Sequence, residues 1–171
     1  MIEIGKDRSM RARALVIAKR PSYLRVEVLG PMGQSLFLLL GDGEAFTAFR
    51  DGIEEKSRAG DPASPYPFTP EEIVSLLLGG GGDGGGGYGA GYGERAAATE
   101  GDVEEESGLI KVRLGWKGAA ASIGDFRDVS GFKVPYRVII ENGATTISLK
   151  YNSVQANPEI GEGAFRPRPG D

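Results

Sequence analysis

The chain has 171 residues, 20 Lys plus Arg against 24 Asp plus Glu, and a formal charge of −4. That length suits one domain with a real core, and the acidic balance weighs against nucleic-acid partners, which need a basic face to displace counterions. With neither His nor Cys in the chain, Ser-His-Asp and Cys-His nucleophile systems, thiolate or His-ligated metals and disulfide frameworks are excluded, which leaves an enzyme only carboxylate, Lys or Tyr chemistry.

Met1-Ile2-Glu3-Ile4-Gly5-Lys6 has no apolar h-region, so the expectation is a cytosolic chain or one whose leader has been removed. No apolar run approaches the roughly 18 residues of a membrane helix, and the longest, Leu36 to Leu40, is strand-sized. Arg11 to Lys19 reads as a strand, with Leu15 and Ile17 inside a small-residue run. Arg11 and Arg13 share one of its faces, and an exposed strand edge is the expectation there, ahead of an anion site. Leu24, Val26 and Val28 alternate with Tyr23, Arg25 and Glu27, the period of two of a strand with one wet face. Leu36 to Leu40 is apolar throughout, so both faces of that strand should be covered. Gly41-Asp42-Gly43 turns the chain into Glu44 to Arg50, and Asp51-Gly52 turns it again into a polar edge or flap at Ile53 to Arg58.

Asp61 to Pro70 holds four prolines and reads as irregular and extended. A helix follows. Thr69 is its N-cap, Pro70 its first residue, and Glu72 completes a capping box. Ile73, Leu76 and Leu77 form its apolar stripe, and Gly79 ends it. Gly79 to Gly93 contains 11 glycines in 15 residues. A mobile loop is expected, continuing as a Gly-rich and acidic insertion over about 79–106. Fragments such as Gly89-Ala90-Gly91-Tyr92-Gly93 are no dinucleotide fingerprint, because they follow a helix where a strand is required.

A second strand set starts with Ile110, Val112, Leu114 and Trp116, which alternate with Lys111, Arg113 and Gly115. Val134, Tyr136, Val138 and Ile140 repeat the pattern. Asn142-Gly143 marks a hairpin, and Ile147, Leu149 and Tyr151 share one face of the strand after it. Glu104-Glu105-Glu106, Asp125 and Asp128 are carboxylates without calcium-loop spacing, so a solvated surface is expected for them. The tail from Asn157 has Ile160 and Phe165 as its anchors.

These elements predict a mostly β (α+β) single domain over 1–171, with about eight to eleven antiparallel strands and one or two helices. One short helix cannot cover so many strands, so the sheet must curl on itself or enclose something. The dense apolar region is either ordinary core or the wall of a hydrocarbon-holding cavity. Met32, at the tip of Leu29-Gly30-Pro31-Met32-Gly33-Gln34, is either tucked over the barrel end or an exposed probe for membrane or an apolar partner.

Tyr23-Leu24-Arg25-Val26-Glu27-Val28-Leu29-Gly30-Pro31-Met32-Gly33-Gln34-Ser35-Leu36 resembles the second and third strands of LolB-type outer-membrane lipoprotein receptors, with their Pro-Leu-Gly turn. Pro70 to Leu78 is similar to that family's capping helix. Val134 to Ile140 with Thr145 to Leu149 resembles its closing hairpin. Asn157-Pro158-Glu159-Ile160 through Phe165-Arg166-Pro167 is similar to the tail of the related periplasmic carrier LolA. The resemblance spans most of the chain outside 79–106, and the glycine run departs from the family pattern.

The resemblance implies a curved antiparallel half-barrel with an acyl-chain cavity. It also implies a non-enzymatic protein on the periplasmic face of the outer membrane, without cofactor or metal, that accepts or inserts lipoproteins or lipids. Its implied partners are acyl chains, a LolA-like carrier and the membrane surface, with no nucleic acid among them. The family's anchoring N-terminal Cys has no counterpart here, so leader and anchor are expected to be missing from this sequence. The candidate cavity wall is Leu24, Val26, Val28, Leu36, Leu38, Leu40, Ile110, Val112 and Leu114, with Ile73 and Leu77 from the helix. Met32 takes the place of the family's protruding, membrane-contacting Leu. Two rivals stand beside this. One is a structural or sensing cell-envelope lipoprotein that binds a protein partner and carries no lipid. The other is a carboxylate enzyme, which would need two converging buried acids.

Overall fold

The computed structural model describes residues 2–4, 10–58, 61, 64–66, 68–78, 103–106, 109–114, 119–143 and 145–167. Five strands follow one another after a short first strand β1 (Ile2–Ile4): β2 (Met10–Lys19), β3 (Tyr23–Leu29), β4 (Ser35–Asp42), β5 (Ala45–Arg50) and β6 (Ile53–Arg58). Helix α1 (Pro70–Leu77) then precedes β7 (Val103–Glu106), β8 (Leu109–Leu114), β9 (Ala119–Val129), β10 (Phe132–Asn142), β11 (Thr145–Lys150) and a 3-10 turn η1 (Glu162–Phe165). All strands join one antiparallel sheet in the order β6-β5-β4-β3-β2-β1-β11-β10-β9-β8-β7. Among the described residues the sheet does not close, and β6 and β7 stand at its two ends.

Local chemistry accounts for the joints. Positive φ at Asp51 and Gly52, at Ser130 and Gly131, and at Gly143 supplies the left-handed residues of tight hairpins. The helix starts as its sequence predicts. The Thr69 hydroxyl accepts from the Glu72 amide at 3.2 Å, and the Glu72 carboxylate accepts from the Thr69 amide at 2.7 Å. Both halves of the capping box are therefore made.

The sheet curls around this helix. One apolar cluster takes Phe46 and Ala48 from β5, Leu39 from β4, and Leu24 and Val28 from β3. It continues through Leu149 of β11 and Val138 and Ile140 of β10 to Ala121 and Ile123 of β9, with Ile73, Val74, Leu76 and Leu77 of α1 at its centre. Laid flat, strands β5 to β9 would span about 34 Å at ~4.8 Å per strand. An eight-residue helix is about 12 Å long. It nevertheless packs on β2, β3 and β10 together, which requires a concave sheet. The architecture is a mostly β, antiparallel half-barrel with one covering helix among the described residues.

Two expectations need correction. Val103–Glu106 forms edge strand β7, inside the stretch expected to be a loose insertion, while residues 79–102 lie outside those described. Arg11 and Arg13 are exposed but sit on β2, an interior strand flanked by β1 and β3, so they are not at a sheet edge.

Candidate functional site

Cross-strand register decides which face each candidate occupies. Val26 pairs with Val16 of β2 and Leu39 of β4, and Leu24 pairs with Ala18. These residues, with Val28, Phe46 and Ala48, face the helix. Leu24, Val28, Ile73 and Leu77 are buried in the common cluster, and Val26 packs against it. Ala12, Ala14, Val16 and Ala18 of β2 line the same concave wall with small side chains. In β8, Ile110, Val112 and Leu114 stand at register positions opposite Ile123, Ala121 and Ala119.

Leu36, Leu38 and Leu40 do not share that wall. Leu40 pairs with Arg25 and Leu38 with Glu27, so both lie on the convex face. The inward residues of β4 are Phe37 and Leu39. Leu38 and Leu40 are buried all the same, whereas Leu36 is 42% exposed. Both faces of β4 are thus covered over Leu38–Leu40, as its unbroken apolar run predicts.

The convex cover is the C-terminal segment, which the sequence did not reveal. Tyr23, Arg25 and Glu27 look like a wet strand face, yet the Arg25 side chain is 0% exposed. Its Nε and Nη2 donate to Glu27 Oε2 at 3.1 and 2.8 Å, and Nη1 donates to the Arg166 carbonyl at 3.0 Å. The Phe165 ring stacks at a tilt on Tyr23, 5.6 Å between centroids. Opposite charges two apart on one strand face, with an aromatic anchor in the tail, were the available signal. Two shallow clefts lie on this side of the sheet: one of about 210 Å³ lined by Leu40, Phe49 and the tail residues Phe165 to Pro167, and one of about 180 Å³ lined by Leu36, Leu38 and Phe49. They meet at Phe49.

Met32 projects from the β3–β4 turn with 91% of its surface exposed, so the tucked arrangement is not the one adopted. Three hydrogen bonds close the turn. The Gly30 amide donates to the Gln34 carbonyl at 2.8 Å, and the Gly33 amide to the Gly30 carbonyl at 3.0 Å. The Gln34 side-chain oxygen accepts from the Met32 amide at 3.1 Å. Gly33 holds φ +84°, a conformation that favours glycine. Ile53, at the neighbouring β5–β6 turn, is also exposed at the same rim.

At the opposite end of the sheet, Arg127 grips Asp125 through two hydrogen bonds of 3.2 and 2.8 Å and lies 4.2 Å over the Tyr136 ring. The hydrogen bond from Arg127, then the charges of Arg127 and Lys150, hold the Asp125 carboxyl below its ordinary range. Asp128 accepts from the Gly131 amide at 2.9 Å and closes the β9–β10 turn. Tyr136 meets Tyr151 edge-on at 6.4 Å. The Tyr151 hydroxyl oxygen is buried with no hydrogen-bond partner, and burial pushes its pKa well up.

Among the described residues, no group of three or more His, Cys, Asp or Glu is placed to hold a metal ion, and no helix is long and apolar enough to cross a membrane. No family model matches the chain, and no curated protein matches it. Its fold is similar to the crystal structure of a LolA superfamily protein from Nitrosomonas europaea. The two share 13% sequence identity and a TM-score of 0.47, with 97% of this chain and 87% of that one covered.

Proposed function

We propose that this protein is a non-enzymatic acceptor that holds acyl chains against the concave face of its half-barrel and passes lipids or lipoproteins to the outer membrane. The observation that carries the reading is the continuous apolar wall from β5 to β9, which among the described residues has one eight-residue helix packed on it. A hydrocarbon chain can replace the contacts of Ile73, Leu76 and Leu77 when that helix lifts. The side chains that β2 and β9 turn toward it are mostly small, among them Ala12, Ala14, Ala18, Ala119 and Ala121. Acyl burial contributes about 0.8 kcal/mol per methylene, so a chain of ~15 methylenes gains roughly 12 kcal/mol. Cargo held that firmly must move along an apolar path to a second cavity or a bilayer, and no bond needs to break. The periplasmic face of the outer membrane is the setting this activity requires, and a soluble lipid-bound carrier is the natural donor.

Met32 is the membrane-facing residue of this scheme. Burying it in a bilayer yields about 1.5–3 kcal/mol, enough to orient the protein and too little to anchor it.

Native mass spectrometry of gently purified protein, with competition by a fluorescent fatty acid, tests the reading. Co-purifying acyl lipid displaced mole for mole by the probe is the expected result. A clean apo mass with no probe uptake refutes it and favours a partner-binding envelope protein. Met32→Glu should keep probe binding and lose transfer to phospholipid vesicles, and unaltered transfer removes Met32 from the mechanism.

A further inference from the structure

We infer that the Tyr151 hydroxyl is the polar contact of the concave site and hydrogen-bonds the carbonyl oxygen of an acyl ester or amide. This rests on the acyl-holding function proposed above.

Position comes first. Ile147 and Leu149 of β11 point to the concave side, and Tyr151 continues their alternation one step past the strand. Its amide donates to the Tyr136 carbonyl at 3.0 Å, so the sheet pairing extends to it and fixes where its ring leaves the backbone. The ring packs against the same cluster that α1 covers and edge-on against Tyr136.

The hydroxyl is out of keeping with that setting. Buried polar side chains elsewhere are satisfied, Arg25 by Glu27 and Ser64 by Ser57. The Tyr151 oxygen is the one side-chain nitrogen or oxygen among the described residues that is buried without a hydrogen-bond partner. A buried donor left unmade is destabilising. Phe would fill the same space without that penalty, so the hydroxyl opposes folding and needs another purpose.

Its chemistry selects the ligand. The phenol is neutral and offers one donor. The nearby Arg127 guanidinium is already held by Asp125. Among the described residues no cation is hydrogen-bonded to the hydroxyl to compensate a buried negative charge, which disfavours a free carboxylate. A neutral carbonyl of an ester or amide matches one neutral donor. The hydrocarbon then runs from Tyr151 along the wall toward Val28 and the Met32 rim.

The experiment compares native protein with Tyr151→Phe, using a fluorescent acyl methyl ester and an alkane of equal length carrying the same fluorophore. The variant should bind the ester about tenfold more weakly and the alkane unchanged. Its ligand-free melting temperature should equal or exceed that of the native protein. Equal ester affinity in the two proteins overturns the assignment and leaves the proposed function standing. A lowered ligand-free melting temperature also overturns it, because it would reveal a water or protein partner for the hydroxyl. Failure of native protein to bind either probe overturns both proposals.

Discussion

Removing one half of the buried ion pair on the convex face should be among the most damaging single changes available. Arg25 is fully enclosed and Glu27 nearly so, with two short hydrogen bonds to one carboxylate oxygen. Glu27→Leu keeps the volume roughly constant but leaves the guanidinium buried without its carboxylate. Breaking such a pair costs about 3–5 kcal/mol, a large share of the ~5–15 kcal/mol that stabilises an ordinary domain. At about 2–4 °C per kcal/mol for a chain of this size, the melting temperature should fall by roughly 6–20 °C. The double change Arg25→Met with Glu27→Leu removes both charges and should recover most of that loss. Its residual deficit is the hydrogen bond from Arg25 to the Arg166 carbonyl, worth about 1.5–3 kcal/mol for a charged donor. Urea unfolding followed by far-UV circular dichroism measures all four corners of the cycle. Two results would sink the reasoning: Glu27→Leu within about 1 kcal/mol of native, or a double variant less stable than Glu27→Leu alone.

Thr69→Ala removes one partner of the capping box and should cost about 0.5–2 kcal/mol, while Thr69→Ser should hold within a few tenths; equal melts for Ala and Ser would show the cap to be idle. Asp125 gives a pH signature. Its carboxyl is depressed first by the hydrogen bond from Arg127, so its contribution is complete above the unfolded-state value of about 3.9 and is lost as pH falls through the lower folded-state value. Melts of the native protein should therefore fall more steeply below about pH 4 than those of Asp125→Asn, and superimposable acid limbs would refute the interaction.

The parts of the fold legible in the sequence are those governed by local rules. Thr69, Pro70 and Glu72 announce the helix start because capping is chemistry between near neighbours. Leu24, Val26 and Val28 announce an inward strand face because polar residues interrupt them. Leu36 to Leu40 carries no such interruption, so its parity is invisible until pairing with Arg25 and Glu27 sets it. That is why the expected wall mixed two faces. Strand β9 escaped notice because Ala119-Ala120-Ala121-Ser122 has weak strand preference and owes its form to β8 and β10 on either side. The convex latch joins residues 141 apart in sequence, beyond the reach of any window. Tyr151 is plain in sequence as an inward residue, but an unpaired hydroxyl is a property of its surroundings alone.

The strand order also shapes how the molecule is assembled. Within each of two meanders, β2 to β6 and β7 to β11, every strand pairs with its neighbour in sequence. The leaves meet through β1, where Ile2, Glu3 and Ile4 pair with Leu149, Ser148 and Ile147. Hairpin-built leaves close short loops and form fast, whereas the seam must gather nearly the whole chain. A stitch of three residue pairs made late in folding governs the unfolding rate more than the folding rate. Parting the two leaves would break only this short ladder of backbone pairs, but it would also have to free α1 from β10 on one side or from β2 and β3 on the other.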